Sequence, residues 1–410
     1  VAAELLLFDC TMTVAVLMSR FPSVTETFIL REMIEMERQA RPVRLVPMLR
    51  ESPAVVHEAA KAWTTRALYT PFLNGAILGA NVRASLRGPI RYGWLLARLI
   101  AGTWTSPKVL VRTLAVFPKS VFLARQLEQE GVRHIHAHYA TYPTTMALII
   151  ASLSKATFSF TVHAHDIQVN RALLRWKLRE TRFVRSVSAL NKRFLETRYP
   201  KEARGKIHVI HVGIETRLYS AGTRANNRIL CVAAHKPYKG LPWLIEACRI
   251  LRDEGTDVQC DIIGQGPMGD ELAAMIRERG LTTTVRLLGP RTQEEVTRSM
   301  AETSLFVLPS VVAPDGQMEG IPVSLMEAMA AGCAVVSTSI AGIPELVDHG
   351  VSGLLVPPGD ARALANAMRE LLADPGRARR MGERGRDKVL AEFSLSQCVR
   401  QLNEQFEAFR

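Results

Sequence analysis

Glu319–Gly332 reads E-G-I-P-V-S-L-M-E-A-M-A-A-G, and the fold class is decided by this stretch together with its two flanks. Ser304–Ser310 (S-L-F-V-L-P-S) ahead of it is an apolar run of strand character, and Ala334–Ser339 after it is a second one. Between them a short helix opens at Pro322, a residue suited to the first helical position because its missing N–H is not needed there, and Gly332 closes it. In such a strand, loop, helix, strand unit the loop and the helix N-terminus face the crevice at the carboxyl end of a parallel sheet, where α/β folds bind ligands. Free backbone N–H groups at that point favour an anion, typically a phosphate. Glu319 stands just before the helix and Glu327 on it, so an anion held between them leaves one acid for each end of a longer ligand.

Working outward, the same alternation recurs over most of the chain. Thr13–Met18, Arg44–Met48, His134–His138, Thr157–Val162, Arg182–Ser188 and Lys206–His211 read as strands of a first half. Ile229–Ala233, Asp257–Ile263, Val285–Gly289, Ser304–Ser310, Ala334–Ser339 and Gly353–Pro357 read as strands of a second. Helical patterns separate them, which predicts parallel sheets in both halves. Ser220–Arg228 (S-A-G-T-R-A-N-N-R) has linker composition. The expected domains are therefore 1–222 and 223–393, with 394–410 a last helix crossing back to the first, and residues 1–11 an upstream extension. Ser23 and Glu26 have the spacing of a capping box, placing a helix from there to about Arg38.

The 410 residues suffice for two cores, and a content of 48% hydrophobic and 22% charged residues is ordinary for a globular protein. Six cysteines without C-x-x-C spacing, several in apolar runs, read as reduced core residues of a cytosolic protein. No apolar run approaches the roughly 20 residues that span a bilayer. The net charge of +13 is concentrated: Lys61–Leu127 holds ten basic residues and no acidic one, along with Trp63, Trp94 and Trp104. This stretch is either a peripheral surface for an anionic membrane or a solvated basic face with its tryptophans in the core. No zinc-finger, helix-turn-helix or RNP-like pattern accompanies the charge, so nucleic acid is not an expected partner. His134, His136 and His138 share one face of a strand, but their single-element origin argues against a metal site, and no D-x-D pair stands at a strand end.

The E-x7-E of Glu319 and Glu327, followed by E-A-M-A-x-G and by G-I-P-E-L-V at Gly342–Val347, resembles the retaining glycosyltransferases of family 4. Further segments carry the same resemblance: S-F-T-V-H-A-H-D-I at Ser159–Ile167, H-V-G-I-E at His211–Glu215, the K-G of Lys239 and Gly240, and G-Q-G-P at Gly264–Pro267. F-P-S-V-T-E-T-F-I, Phe21–Ile29, is similar to the opening of a subgroup acting in exopolysaccharide assembly of the colanic-acid type. The resemblance implies an α/β protein of the GT-B fold, two facing Rossmann-like domains with a deep interdomain cleft.

It also implies roles. Glu319 and His163 would meet the transferred sugar, Glu327 the ribose and Lys239 the diphosphate. Gly240, Gly320, Ile321, Val323, Ser324, Gly264 and Gly266 would line the donor, and Arg291 the base. His165 and Asp166 are secondary candidates, and His138 and Glu26 are placed on the acceptor side. Two departures stand out. Pro322 replaces a glycine and cannot donate an N–H, and Ala234 replaces an arginine that usually precedes the lysine by five residues, leaving His235 and Lys236 as substitutes.

The implied activity is metal-independent, retaining transfer from a UDP- or GDP-linked sugar to a saccharide or lipid-linked saccharide, with no cofactor, in the cytoplasm or on the inner face of its membrane. A sugar-nucleotide epimerase of the same fold and a catalytically silent nucleotide-sugar-binding subunit are the alternatives.

Overall fold

The computed structural model describes residues 12–23, 26–52, 58–163, 165–168, 171–222 and 224–408. The N-terminal extension expected at 1–11, Cys10 with it, lies outside them. The chain divides into two compact units: Val1–Val187 with Asn191–Ile210 and Val399–Arg410, and Ser188–Leu190 with His211–Cys398.

Unit 1 is built on six strands: β1 (Val14–Phe21), β2 (Val43–Arg50), β3 (His134–His138), β4 (Thr157–Val162), β5 (Val184–Ser186) and β6 (Ile207–Val209). They form one parallel sheet in the order β2-β1-β3-β4-β5-β6. The order reverses between β1 and β3, and the carboxyl ends of those two strands are where such a sheet opens for a ligand. Unit 2 contains β7 (Ala225–Val232), β8 (Gln259–Ile263), β9 (Val285–Gly289), β10 (Thr303–Leu308), β11 (Ala334–Thr338) and β12 (Leu354–Val356). Its order is β12-β11-β10-β7-β8-β9, again all parallel. Read from β9, this is the doubly wound 3-2-1-4-5-6 arrangement, with its switch point between β7 and β10. Strands such as Ala334–Thr338 are buried at every position, which is why they read as continuous apolar runs without alternation.

Each unit has its own apolar core. The helix Val323–Ala330 buries Leu325 through Ala330 in that of unit 2, each large side chain there contributing about 1.5–3 kcal/mol. Its end is fixed by a Schellman motif: Gly332 N donates to Met329 O at 2.8 Å and Cys333 N to Ala328 O at 2.9 Å. Gly332 sits at φ +75°, the left-handed conformation that motif demands.

Three sequence expectations are revised. The linker-like Ser220–Arg228 segment runs into β7, which starts at Ala225, and the division between units falls at Ile210/His211. Ile214 and Tyr219 already belong to the core of unit 2, and Ile214 bridges to Ser394. The first helix begins at Thr27 with Glu26 at the N-cap, and Glu26 makes no side-chain capping bond. Pro322 is the N-cap and not the first helical residue, with extended backbone at φ −67° and ψ 124°.

The final helix is Leu395–Ala408. Within unit 1 its Phe406 ring lies 5.3 Å from His134 and 5.4 Å from His136, and Glu407 pairs with Arg41. Between β2 and β3 unit 1 carries four helices, Glu58–Arg66, Gly75–Arg87, Pro89–Ala101 and Pro107–Gln129. Pro89 and Pro107, which interrupt the periodicity of the sequence, each begin a helix and so mark where one ends and the next starts.

Candidate functional site

In unit 2 the switch point brings together the loops after β7 and β10. Gly240 follows the turn Pro237–Lys239 at φ +67°, and a Cβ there would lie 1.9 Å from Pro309 O, so only glycine lets these two loops touch. Gly264 plays the same part between β8 and β7: at φ +143°, its Cβ would lie 1.9 Å from Ala233 O. Gly342 N donates to Gly320 O at 3.1 Å, which ties the G-I-P-E-L-V segment to the loop ahead of the helix.

This packing puts Lys239 against Glu319, and the two form an ion pair with side chains 14% and 11% exposed. Burial alone would pull the Lys239 ammonium down, but the adjacent Glu319 carboxylate outweighs it and the pKa is raised. A fixed cation therefore stands at the mouth of the sheet. Beside it, Val323, Ser324 and Leu325 open the helix, where N–H groups have no acceptor within the helix itself. Glu327, one turn on, is buried, and its Oε1 accepts from Tyr219 Oη at 2.6 Å. Gln293 Nε2 in turn donates to Tyr219 Oη at 3.0 Å. Tyr219 and Gln293, which anchor that carboxylate, had no signal in the sequence beyond a single Tyr in a turn-prone stretch.

The two substitutes for the absent arginine fare differently. His235 is buried, both ring nitrogens lack a hydrogen-bond partner and burial lowers its pKa, so it stays neutral and is not the replacement cation. Lys236 is exposed, its Nζ 6.0 Å from the Tyr238 ring, and keeps the part open to it. Arg291 is exposed just beyond β9; it donates to Pro290 O at 3.2 Å and lies 3.9 Å from Glu295. Gly266 N-terminal to the helix Gly269–Glu278 packs on the backbone of His235, where a Cβ would lie 2.6 Å from His235 O.

Unit 1 gathers a second group at its own strand ends. The register sets His134, His136 and His138 opposite Thr157, Ser159 and Thr161. His134 bonds Thr157 Oγ1 at 2.8 Å and Ser159 Oγ at 2.7 Å, while His136 bonds Ser159 Oγ at 2.7 Å and Thr161 Oγ1 at 2.8 Å. Both nitrogens of each ring are thus occupied by a ladder of hydroxyls. His138 is buried, with Nε2 3.4 Å from Glu32 Oε1 and Nδ1 3.5 Å from His163 Nε2. Its expected place facing an acceptor is revised: it backs His163 from within, because Glu32 and Arg185, themselves paired, close that side.

His163 is half-buried at the end of β4. Its N–H donates to Asp166 Oδ1 at 2.9 Å, and Asp166 Oδ2 accepts from Ala140 N at 2.7 Å. Asp166 is therefore a buried clamp between the loops after β3 and β4. Lys177 completes it by donating to Ala140 O at 2.7 Å and Thr141 O at 3.0 Å. Tyr139, in the left-handed region at φ +71°, stacks its ring 4.4 Å from that of His163 and hydrogen-bonds Glu26. A tyrosine at positive φ is strained backbone, held here by the surrounding contacts.

Burial pushes the Glu26 carboxyl up to about 7, against the Tyr139 bond, and Oε2 has no partner. The folded value lies above the unfolded one of 4.5, so folding favours the protonated acid. That stabilisation is full below pH 4.5 and is lost as pH rises through 7. Glu26→Gln, neutral at every pH, is expected to be more stable than the parent by up to about 3 kcal/mol at pH 8, with the difference vanishing near pH 4. Denaturant unfolding at the two pH values measures it, and a pH-independent difference would contradict the burial of a protonated acid.

Comparison with known proteins now bears on these two groups. Residues 86–218 match the model for Glycosyltransferase Family 4, and residues 222–388 match that for Glycosyl transferases group 1. The chain thus carries one segment matching each of these two glycosyltransferase domain models. Lys239, Glu319 and Glu327 lie in the segment matching the group 1 model, and His138 and His163 in that matching the Family 4 model, while Glu26 precedes the matched residues.

The chain is 43% identical over 206 residues to the amylovoran biosynthesis glycosyltransferase AmsK of Erwinia amylovora, covering 49% of this chain and 51% of that one. It is 39% identical over 210 residues to the putative colanic acid biosynthesis glycosyltransferase WcaL of Escherichia coli, covering 50% and 52%. The chain thus spans about half the length of these curated relatives. Among solved structures, a glycosyltransferase from Rickettsia africae superimposes with a TM-score of 0.71 at 15% identity, covering 98% of this chain and 99% of that one. Anabaena HepE, crystallised with UDP, gives 0.69 at 17% identity, covering 97% and 100%. The fold is GT-B.

Proposed function

We propose that the protein transfers a sugar, with retention of anomeric configuration, from a UDP- or GDP-linked donor to a saccharide acceptor carried on a lipid in exopolysaccharide assembly. The observation that carries this reading is the Lys239–Glu319 pair at the β7/β10 switch point, beside the open N-terminus of the helix Val323–Ala330. A donor diphosphate placed there meets an ammonium and the positive end of a helix, both aimed at the charge that develops on the leaving group. Glu319 then faces the sugar. Glu327, held by Tyr219, faces the ribose, so no second free carboxylate remains to serve as a nucleophile of the glycosidase kind. Same-face attack guided by the departing phosphate fits that supply of groups, and Lys239 with the helix does the work a divalent ion does elsewhere. The reading keeps His163 as a contact of the transferred sugar on its motif. The relatives named for amylovoran and colanic acid biosynthesis support the acceptor class.

Incubation with radiolabelled UDP- and GDP-sugars and a bacterial lipid extract, in the presence of a chelator, tests it. An α-linked, lipid-extractable product from an α-linked donor is expected. Neither transfer nor slow donor hydrolysis by the intact chain would remove the proposal, and an inverted product would remove retention. Glu327→Ala is expected to raise the donor KM about tenfold, the worth of a charged hydrogen bond, with a smaller change in kcat. An unaltered KM would detach Glu327 from the ribose.

A further inference from the structure

We propose that the outward face of the helices Gly75–Arg87, Pro89–Ala101 and Pro107–Gln129 is a docking surface for an anionic phospholipid membrane. Of the fifteen large hydrophobic side chains exposed among the described residues, ten fall between Leu73 and Leu114. They are not scattered. Leu78, Val82 and Leu86 repeat every four residues on the first helix, and Ile90 and Trp94 do so on the second. Such spacing lays a continuous apolar row along a helix. Each helix also has the inward residues that hold it to unit 1: Ile77 on the first, Leu95 and Leu99 on the second, Val116 and Phe117 on the third. The outward rows are therefore surplus to folding, and Leu86 at 77% and Ile90 at 86% exposure are left in water.

Charge selects the occupant. Lys61–Leu127 contains ten basic residues and no acidic one. Lys119 is spent inside, donating to Met48 O and Thr70 O, each at 2.7 Å. Arg83, Arg87, Arg91, Lys108 and Arg112, by contrast, are exposed, and none has an ion-pair partner among the described residues. Arg91 lines the same shallow apolar depression as Ile90 and Trp94. Unpaired cations interleaved with outward leucine, isoleucine and tryptophan match a surface that is anionic at its headgroups and apolar beneath. A second copy of the same face would bring like charges together, and a nucleic acid would leave the apolar rows uncovered. Arg98 stacks between Trp94, at 4.8 Å, and Trp176, at 4.1 Å, so the outward indole rests on a fixed base. Among the described residues no helix is long and apolar enough to cross a bilayer, so this face would lie in the interface plane.

The inference is independent of the sugar chemistry, because binding is read without donor or acceptor. The full chain is floated with phosphatidylglycerol/phosphatidylcholine vesicles and with phosphatidylcholine alone. Binding to the first only, reversed by molar salt, is expected, with quenching of tryptophan fluorescence by brominated lipid. Arg87→Glu/Arg91→Glu should weaken it by at least about 25-fold, since each basic residue near such a surface strengthens binding about fivefold. Leu86→Ser/Ile90→Ser should release the chain with its far-UV circular dichroism and Tm unchanged, which shows that the fold survives. No binding to either vesicle, binding indifferent to the charge reversal, or a solution dimer dispersed by Leu86→Ser/Ile90→Ser would each overturn the proposal.

Discussion

Lys239→Met is expected to lower turnover of a nucleotide-sugar about 100-fold, while the apparent donor affinity falls only about tenfold, the lower end of what a charged contact supplies. The two magnitudes differ because the diphosphate is less negative when bound than when leaving. A contact to an anion is worth about 1.5–3 kcal/mol in the ground state, but a preorganised donor aimed at growing charge supplies about 2.7–4 kcal/mol to the transition state. Ala234 sharpens the expectation. With His235 buried and neutral and Lys236 in solvent, Lys239 is the cation that the β7 and β10 loops enclose.

A confounding effect must be separated. Removing the ammonium strands the Glu319 carboxylate, whose side chain is 11% exposed, and the loss of its partner alone can distort the loop. The double change Lys239→Met/Glu319→Gln removes that stranded charge. Should the double variant match Glu319→Gln alone, Lys239 serves only to neutralise Glu319; a further loss of about two orders of magnitude relative to Glu319→Gln assigns it to the leaving group. A single variant within about threefold of the parent would end its catalytic role.

The places where sequence and structure agree share a physical cause. Buried parallel strands such as β10 and β11 announce themselves as apolar runs, while β3, β4 and β9, of alternating or mixed pattern, still begin and end where the residues say they do. Loops whose glycines are forced by backbone contact, such as Gly240 against Pro309, are legible for the same reason, since one geometry admits one residue. What was hidden depends on partners distant in sequence. The sequence of H-I-H-A-H argues against a metal site but does not say what the histidines do; the register sets them against T-F-S-F-T, and the alternation of three histidines facing three hydroxyl residues was the available clue. Asp166 gave the signal of a ligand contact but spends both oxygens on backbone N–H groups of two loops. Glu26 had the spacing of a cap, yet it makes no capping bond and its carboxyl turns to Tyr139, a partner distant in sequence.

The same buried histidines make unit 1 expected to unfold in mild acid. Burial is the first cause in each case: the pKa values of His134 and His138 are pushed down to about 3, and those of His136 and His163 well below 6.5. Nearby Arg41, Arg182 and Arg185 act in the same direction. The folded chain therefore keeps the four rings of this cluster neutral, and lowers His208 and His235 as well, where the unfolded chain protonates them below pH 6.5, and stability is full above that value and lost as pH falls. Glu26 works against this between pH 7 and 4.5, because there the folded state holds a proton that the unfolded state has released. For the cluster alone, four proton uptakes less one leave a net of about three, or about 4 kcal/mol for each pH unit below 6.5. At pH 5 the loss reaches about 6 kcal/mol, comparable with the whole stability of a domain. Lys177, pushed down to about 7, is charged in both states throughout this range and leaves the slope unchanged. Calorimetry at pH 7.5 and 5.5, in buffers of different ionisation enthalpy, reads both the shift in Tm and the protons taken up. An uptake of about three protons with an early-melting transition is expected, and unit 2, with no such cluster of lowered histidines, should hold its Tm. Uptake near zero would mean that the rings are already charged in the fold, which the hydroxyl ladder of His134 and His136 does not allow without losing an acceptor at each protonated nitrogen.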